Sequence, residues 1–489
     1  MEPLSTLDAE FLHVEDGIAH MHIAGGCVFA GPPPTLDELA RLVRGKMHQI
    51  PRYRQRVRSV PLELGRPIWA DDPDFDLSYH LRRTALPGPG DDAAFCALMG
   101  RLMSQPLDRD RPLWETWLVE GVEGGNWALI FKVHHCLVDG VAGAGLLEVL
   151  LDLDPTTDVP DPQPWQPTPE PNGAVKVLGA WAGLARDAAA SARSLPGAVR
   201  DPLGAARSAV STAQGLVRWA ANLGTTSPLS VDGSIGRHRS WAHANVPLAD
   251  VKEVGKAFGA KVNDVVVAAV TGGYRDLLIE RGDDVEHAVL RSLVPVSTRR
   301  DDGRGVLDNR VSAMLYELPV RVADPVERLR LVREQLTQLK GSRMAEAGAT
   351  LTEIGDLAPP PAIGTVTRMV VRAMRRLPQR SINTVTTNVP GPQFPLYCLG
   401  REMVEYRPFV PIYHGVRVGT AILSYNGTVY FGVTGDLATT PNVRVVADGA
   451  VRAVRELHDR VTRTGRSGRK RRPRAADPAT KGAGRRGDR

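Results

Sequence analysis

Apolar positions along this chain recur with two periods, and regions of one period alternate with regions of the other. Helical spacing, with apolar residues three and four apart, marks residues 36–48, 93–104 and 325–340, and the run that follows Lys261-Val262-Asn263-Asp264. Short β-prone runs bounded by Gly, Pro or Asn predict extended segments at 111–121, 126–135, 235–247, 290–298, 310–322, 382–392 and 418–433; DFDLSYHL, within 69–81, reads as extended too. Asn426-Gly427 between alternating runs predicts a tight hairpin, and the Gly-rich turn at 121–125 predicts another, which places the strand from Asn126 inside a sheet.

Between two such mixed regions lies a different composition. Residues 154–172 hold seven prolines, too many for regular structure. Residues 174–223, rich in Ala, Val, Leu and Arg, predict two or three helices. The chain therefore reads as an α/β (α+β) protein of two lobes, 1–153 and 235–463, joined by a Pro-rich and helical linker, 154–234. The Gly/Arg/Lys-rich tail, 464–489, cannot build a core and is expected to be disordered. No fixed-period repeat is present. The linker helices fit a connector packed over the seam between lobes, or a basic amphipathic segment lying on a membrane or lipid-droplet surface. The connector is the favoured reading, because interfacial binding requires an exposed apolar face.

The stretch that organises the chemistry is 126–153. Its first ten residues are apolar and β-prone, and after Asp139-Gly140 the apolar positions take helical spacing. His134 and His135 thus stand where a strand ends and a turn begins. In a regular strand His135 shares a face with Leu129, Phe131 and Val133, and His134 one with Ile130 and Lys132, so only one imidazole easily enters a given cleft. His134 can equally be a half-buried strand residue and Asp139 a helix N-cap. Asn263 and Asp264 are likewise what a helix start wants.

Charge and cysteine usage narrow the function classes. The net charge is +6, but residues 463–489 carry eleven Lys/Arg against two Asp/Glu, which leaves −3 for the rest. A nucleic-acid enzyme would spread positive charge over its working surface, so no nucleic-acid partner is expected. The four cysteines are scattered without a CxxC spacing, and neither a metal site nor a disulfide framework is expected. The N-terminus lacks the pattern of a secretory signal, and no apolar run approaches a membrane span of about 20 residues. A cytoplasmic setting is expected, with peripheral contact to the inner membrane face or to lipid droplets as a further possibility.

His134-His135-Cys136-Leu137-Val138-Asp139-Gly140 resembles the HHxxxDG signature of CoA-dependent acyltransferases. Further stretches resemble one branch, the bacterial wax ester synthase/diacylglycerol acyltransferase family. They are LSTLDAEFL at 4–12, Pro112-Leu113-Trp114, Asn263-Asp264 before an apolar helix, PVSTR at 295–299 and TNVPGP at 387–392. The resemblance implies two chloramphenicol-acetyltransferase-like lobes with a channel between them, entered by acyl-CoA from one side and a lipid alcohol from the other. It implies transfer of a long-chain acyl group to diacylglycerol, and to fatty alcohols as wax esters, with acyl-CoA as co-substrate and no permanent cofactor or metal.

Such a transfer needs a base, because a neutral hydroxyl is a poor nucleophile. His135, at an unperturbed pKa of roughly 6.5, suits that role. No GxSxG elbow is present, and Cys136 reads as packing, so no acyl-enzyme is required. Asn263 is the candidate oxyanion donor. Asp139 is expected to pair with Arg299 and fix the loop behind His135, and Gly140 to permit the tight turn. His134 belongs with the catalytic group, and Asp264, Pro112, Leu113, Trp114 and Asn388 with substrate binding. The alternative is a condensation-type acyltransferase or a noncatalytic lipid-binding protein on the same fold.

Overall fold

The structure, a computed structural model, describes residues 2–61, 64–137, 149–156, 159–194, 228–297, 311–341 and 382–469. Fifteen strands are present among them. In the first lobe β1 (Glu2–Pro3), β3 (Gln55–Arg58) and β4 (Ile68–Asp71) make a small sheet. The remaining strands of that half are β2 (His22–Phe29), β5 (Leu81–Ala85), β6 (Trp114–Val122) and β7 (Asn126–His134). The second half supplies β8 (Arg239–Pro247), β9 (Leu290–Ser297), β10 (Val311–Leu318), β11 (Thr384–Pro390), β12 (Tyr397–Cys398), β13 (Arg401–Phe409), β14 (Val418–Tyr425) and β15 (Thr428–Asp436).

These build two six-stranded mixed sheets, one per lobe, ordered β12-β13-β2-β7-β6-β5 and β10-β9-β11-β14-β15-β8. The hairpin β12–β13 crosses from the second half into the first lobe, where β13 pairs antiparallel with β2. Gly25 and Gly26 of β2 make that assembly possible. A Cβ on Gly25 would meet the Tyr406 ring at 2.3 Å, and one on Gly26 the Phe95 ring at 2.8 Å. The two glycines alternate faces, so one admits β13's tyrosine and the other a helix phenylalanine.

Among the described residues the helices are α1 (Thr6–Val14), α2 (Leu36–Lys46), α3 (Leu77–His80), α4 (Asp92–Met103), α5 (Gly173–Ser194), α6 (Leu248–Phe258), α7 (Val262–Glu280), α8 (Pro325–Gly341) and α9 (Arg444–Arg469). One face of the first sheet packs Leu129 and Phe131 against Leu12 of α1 and Leu39 of α2. The other packs Ala128 and Ile130 against Phe95 and Met99 of α4. In the second lobe α7 is apolar all round and buried, as a core helix must be. Its Tyr274 hydroxyl meets Thr384 Oγ1 at 2.5 Å and Thr420 Oγ1 at 3.1 Å, tying it to β11 and β14.

Both expected hairpins form, β6–β7 and β14–β15. Asn426 and Gly427 hold φ of 41° and 80°, the left-handed pair that such a two-residue turn needs. The extended reading of 69–81 needs correction. Only its two ends are extended, in β4 and at Leu81 of β5, and Leu77–His80 winds into a helical turn whose start is capped by Asp76, which accepts the Ser78 N–H at 2.9 Å. The helix α9 runs to Arg469, six residues into the expected tail, whose remainder lies outside the described residues.

The described part of the Pro-rich segment has no regular secondary structure and is docked against the first lobe. Arg54 lies over the Trp165 ring at 4.4 Å, and Glu170 pairs with Arg56 and Arg58. One linker helix, α5, follows, and residues 195–227 fall outside the described residues. The lobes meet through the loop after α1. Arg237 Nη1 donates to the Gly17 carbonyl at 3.2 Å, Arg239 Nη2 to that of Ile18 at 2.5 Å, and His414 Nε2 pairs with Asp16 at 3.0 Å.

Candidate active site

The histidine strand lies in the middle of its sheet, flanked by β2 and β6, with His22 opposite His134. At its end the main chain is held from both sides. His134 N–H donates to the Leu113 carbonyl at 2.9 Å and His135 N–H to that of Met21 at 2.9 Å. The strand stops at His134, and His135–Leu137 forms a single 3-10 turn. His135 nonetheless keeps the strand's alternation: its ring lies on Phe11 of α1, the helix whose Leu12 packs with Leu129, Phe131 and Val133.

The two imidazoles differ in every contact. His134 is 1% exposed, its Nε2 lies 3.2 Å from Glu15 Oε2, and its Nδ1 accepts the Cys136 N–H at 3.1 Å. An accepting Nδ1 puts the proton on Nε2, so both nitrogens of His134 are engaged inside the protein. His135 is half-buried and stacks on Phe11 of α1, ring centroids 4.0 Å apart. Its Nδ1 is buried without a hydrogen-bond partner beyond its own residue. Burial pushes its pKa down to about 4, partly opposed by its own backbone and reinforced by His134, so the ring is neutral at pH 7. Burial also holds the Cys136 thiol well above its ordinary value.

Behind the histidines sits a polar group that the sequence pattern did not single out. Glu15, at the C-terminal cap of α1, has a side chain 6% exposed that faces His20, His22, His134 and Arg109. Burial opposes its ionisation, but His134, His20 and His22 outweigh it and hold the carboxyl well below the usual range. Two cavities, of about 570 and 540 Å³, share Glu15 and Arg109 as a common wall. The first is lined by Ala9, Leu12, Val57, Val60 and Leu113, and the second reaches Arg237 and His238 of the other lobe. Glu15, His20 and His22 have the donor set for a metal ion.

The other expected residues separate into groups. Of Pro112, Leu113 and Trp114, all buried, only Leu113 lines a cavity. Trp114 is braced inside, its Nε1 donating to the Tyr53 carbonyl at 2.8 Å and its ring stacked on His80 at 4.6 Å. Asp264 Oδ2 accepts the Lys261 N–H at 2.8 Å and so caps α7 from within. Asn263 and Asn388 come together, Asn388 Nδ2 donating to Asn263 Oδ1 at 2.8 Å. Among the described residues no hydrogen bond joins that pair to His135. Asp139, Gly140 and Arg299 lie outside the described residues, and with them the expected Asp139–Arg299 pair.

Residues 4–266 match the model of the wax ester synthase/diacylglycerol acyltransferase catalytic domain, and residues 307–458 that of the WS/DGAT C-terminal domain. A protein of Mycobacterium tuberculosis (strain H37Rv) named as a probable diacylglycerol O-acyltransferase, tgs1, is 38% identical over 94% of this chain and 96% of its own. The solved wax ester synthase/diacylglycerol acyltransferase from Marinobacter aquaeolei VT8 superposes with a TM-score of 0.66 at 24% identity, covering 94% of this chain and all of the other. A mutant starter condensation domain of rhizomide synthetase, solved with C8-CoA and Leu-SNAC, superposes with a TM-score of 0.51 at 13% identity, covering 94% of both chains.

Proposed function

The chain belongs to the wax ester synthase/diacylglycerol acyltransferase family, and from that premise we propose that it transfers a long-chain acyl group from acyl-CoA to the hydroxyl of diacylglycerol, and to fatty alcohols as wax esters. The observation that carries the reading is His135: a neutral, half-buried imidazole at a strand end, stacked on Phe11, with His134 fully engaged beside it.

In this reading His135 takes the proton of the acceptor hydroxyl while that oxygen attacks the thioester carbonyl. The C–S bond then breaks, and the proton passes to the departing CoA sulfur. Asn263 donates to the oxyanion of the tetrahedral intermediate. Its carbonyl oxygen is held by Asn388, which supports an NH2 group turned toward a ligand. Attack is direct, since a thiol held as far above its ordinary pKa as Cys136 stays protonated. The two cavities that Glu15 and Arg109 divide, which His135 itself does not line, would lead acyl-CoA and the alcohol toward the histidines. Asp139 and Arg299 would secure the loop behind His135, Gly140 its turn, and Leu113 the wall along the acyl chain.

A lipid acceptor is met at a surface, and α5 offers one. Val175, Leu178 and Trp181 are 45%, 69% and 57% exposed, spaced three apart on one side of the helix. Peripheral contact of that face with a membrane or droplet completes the reading; no helix among the described residues is long and apolar enough to cross a membrane. The test is release of free CoA by purified protein from palmitoyl-CoA with diacylglycerol or hexadecanol, beside His135→Ala. Alcohol-dependent release that the variant loses supports transfer with His135 as base. Equal release by both proteins, or none with either alcohol, favours a lipid-binding protein on the same fold.

A further inference from the structure

His20 and His22 are not used by the acyl transfer described above, and their arrangement with Glu15 points elsewhere. We propose that these three side chains bind one divalent transition-metal ion of the zinc class at the seam between the lobes. Their ligand atoms all lie within 4.8 Å of one another. His20 Nδ1 stands 3.5 Å and His22 Nε2 3.3 Å from the same oxygen, Glu15 Oε1. Ligands about 2.0–2.1 Å from a tetrahedral ion lie about 3.3–3.4 Å apart, so both separations are those of neighbouring ligands on one metal.

The chain holds the three in place beforehand. His20 and His22 are two residues apart where the chain enters β2, and their rings stack with centroids 5.2 Å apart and planes at 13°. Between Glu15 and His20 the loop closes on itself. Asp16 N–H donates to the Ala19 carbonyl at 3.0 Å, and Asp16 Oδ1 accepts from Ile18 and Ala19 at 2.6 and 2.8 Å.

An independent observation points to a ligand. The His22 side chain is 2% exposed and its Nδ1 has no hydrogen-bond partner, while its Nε2 and His20 Nδ1, both buried, face Glu15 Oε1 at 3.3 and 3.5 Å without the alignment of a hydrogen bond. Unsatisfied buried polar atoms are rare and costly, and a metal ion on the lone pairs would satisfy His20 Nδ1 and His22 Nε2 together. The carboxylate is divided to match. Oε2 receives Arg109 at 2.5 Å and His134 at 3.2 Å, which leaves Oε1 for a monodentate bond. Glu15 and His20 line the cavity of about 540 Å³, which supplies water for a fourth position.

Two imidazoles and one carboxylate select Zn²⁺, Co²⁺ or Ni²⁺ over Mg²⁺ or Ca²⁺, which favour all-oxygen shells. Through Oε2 the same carboxylate holds His134, one residue before His135, so occupancy of the site is coupled to the turn that carries the proposed base. The site itself stands on geometry and is independent of the acyl-transfer reading.

The experiment uses tag-free full-length protein, stripped with a chelator and titrated with CoCl₂. The expected result is one Co²⁺ per chain, visible d–d bands of a low-coordinate ion, and displacement by Zn²⁺. His20→Gln and His22→Gln should each weaken binding about a hundredfold, because even a partner of a ligand is worth roughly 10–100-fold; His287→Gln, on an exposed surface residue, should not. No saturable binding, or unchanged binding in both folded variants, overturns the proposal. If circular dichroism finds the variants unfolded, X-ray absorption of the Zn²⁺-loaded wild type decides. Two imidazole nitrogens in the first shell support the site, and a shell without imidazole overturns it.

Discussion

Asn388 donates its side-chain N–H to the Asn263 carbonyl oxygen at 2.8 Å, joining the end of β11 to the start of α7 across 125 residues. The bond orients an amide: with its oxygen fixed, Asn263 presents its NH2 group on the other side. If that group is the oxyanion donor, Asn388 acts through it. Asn263→Ala should lower kcat about a hundredfold or more. Asn388→Ala should lower it less, with little change in KM, and the double variant should be no worse than Asn263→Ala alone. Kinetics of the three proteins check this, and fully additive losses would separate the two asparagines.

The pH dependence follows from burial. His135 is pushed down to about 4 by burial, and His80 to about 4 by burial against its hydrogen bond to the Trp114 carbonyl. An unfolded histidine titrates near roughly 6.5. Between that value and about 4 the unfolded chain binds protons that the folded one refuses, so their contribution to stability is whole above 6.5 and lost as pH falls toward 4. The melting temperature should decline over that interval. The kcat/KM profile, taken where the fold is intact, should show no inflection near 6.5. An inflection there would mean that water reaches His135 freely.

Trp114 should matter to stability more than to chemistry. It is 1% exposed, donates to the Tyr53 carbonyl, and lies between the rings of His80 and Tyr53. Trp114→Ala should cost ~3–5 kcal/mol by denaturant unfolding. Trp114→Phe keeps the apolar bulk and removes the donor to a buried carbonyl, which should cost about 1–3 kcal/mol. Activity per folded molecule in the Phe variant should stay within a fewfold of the parent.

The two mixed lobes and both hairpins were legible because they rest on local patterns, as at Asn426-Gly427. What was not legible depends on distant partners. His134 turns its Nε2 to Glu15, a residue more than a hundred positions earlier. Leu77–His80 turns helical where Asp76 caps it and His80 reaches the Trp114 carbonyl at 2.8 Å. The period of residues 401–409 says strand, but nothing in it says that the partner is β2. Of the site, the sequence pointed to the histidine pair and to Asn263 with Asn388. Glu15, His20 and His22 lie within eight residues of one another, but without the loop at 16–19 nothing marks them as neighbours.

The exposed face of α5 predicts how the protein meets lipid. Replacing Val175, Leu178 and Trp181 with Asp removes the apolar stripe without touching either sheet. Sedimentation with vesicles of phosphatidylcholine and phosphatidylglycerol should then fall at least about tenfold, as burial of an apolar face drives such binding. Turnover of a short-chain alcohol soluble in water should not change. Equal sedimentation of both proteins would leave α5 as a connector only.

Cys136 sits one residue after the proposed base, where a thiolate would compete with the alcohol for the acyl group. It is 3% exposed, and burial holds its thiol well above the ordinary value, with the charges of Asp8 and Glu15 adding to the effect. A protonated thiol is a poor nucleophile, so the acyl group should never rest on the protein. Mass spectrometry after incubation with palmitoyl-CoA in the absence of alcohol should find no added acyl mass. Cys136→Ala should retain turnover within a fewfold and show no change in the order of substrate release. Acylated protein that disappears in Cys136→Ala would make the reaction a two-step one, and His135 would then serve to activate the thiol rather than the alcohol.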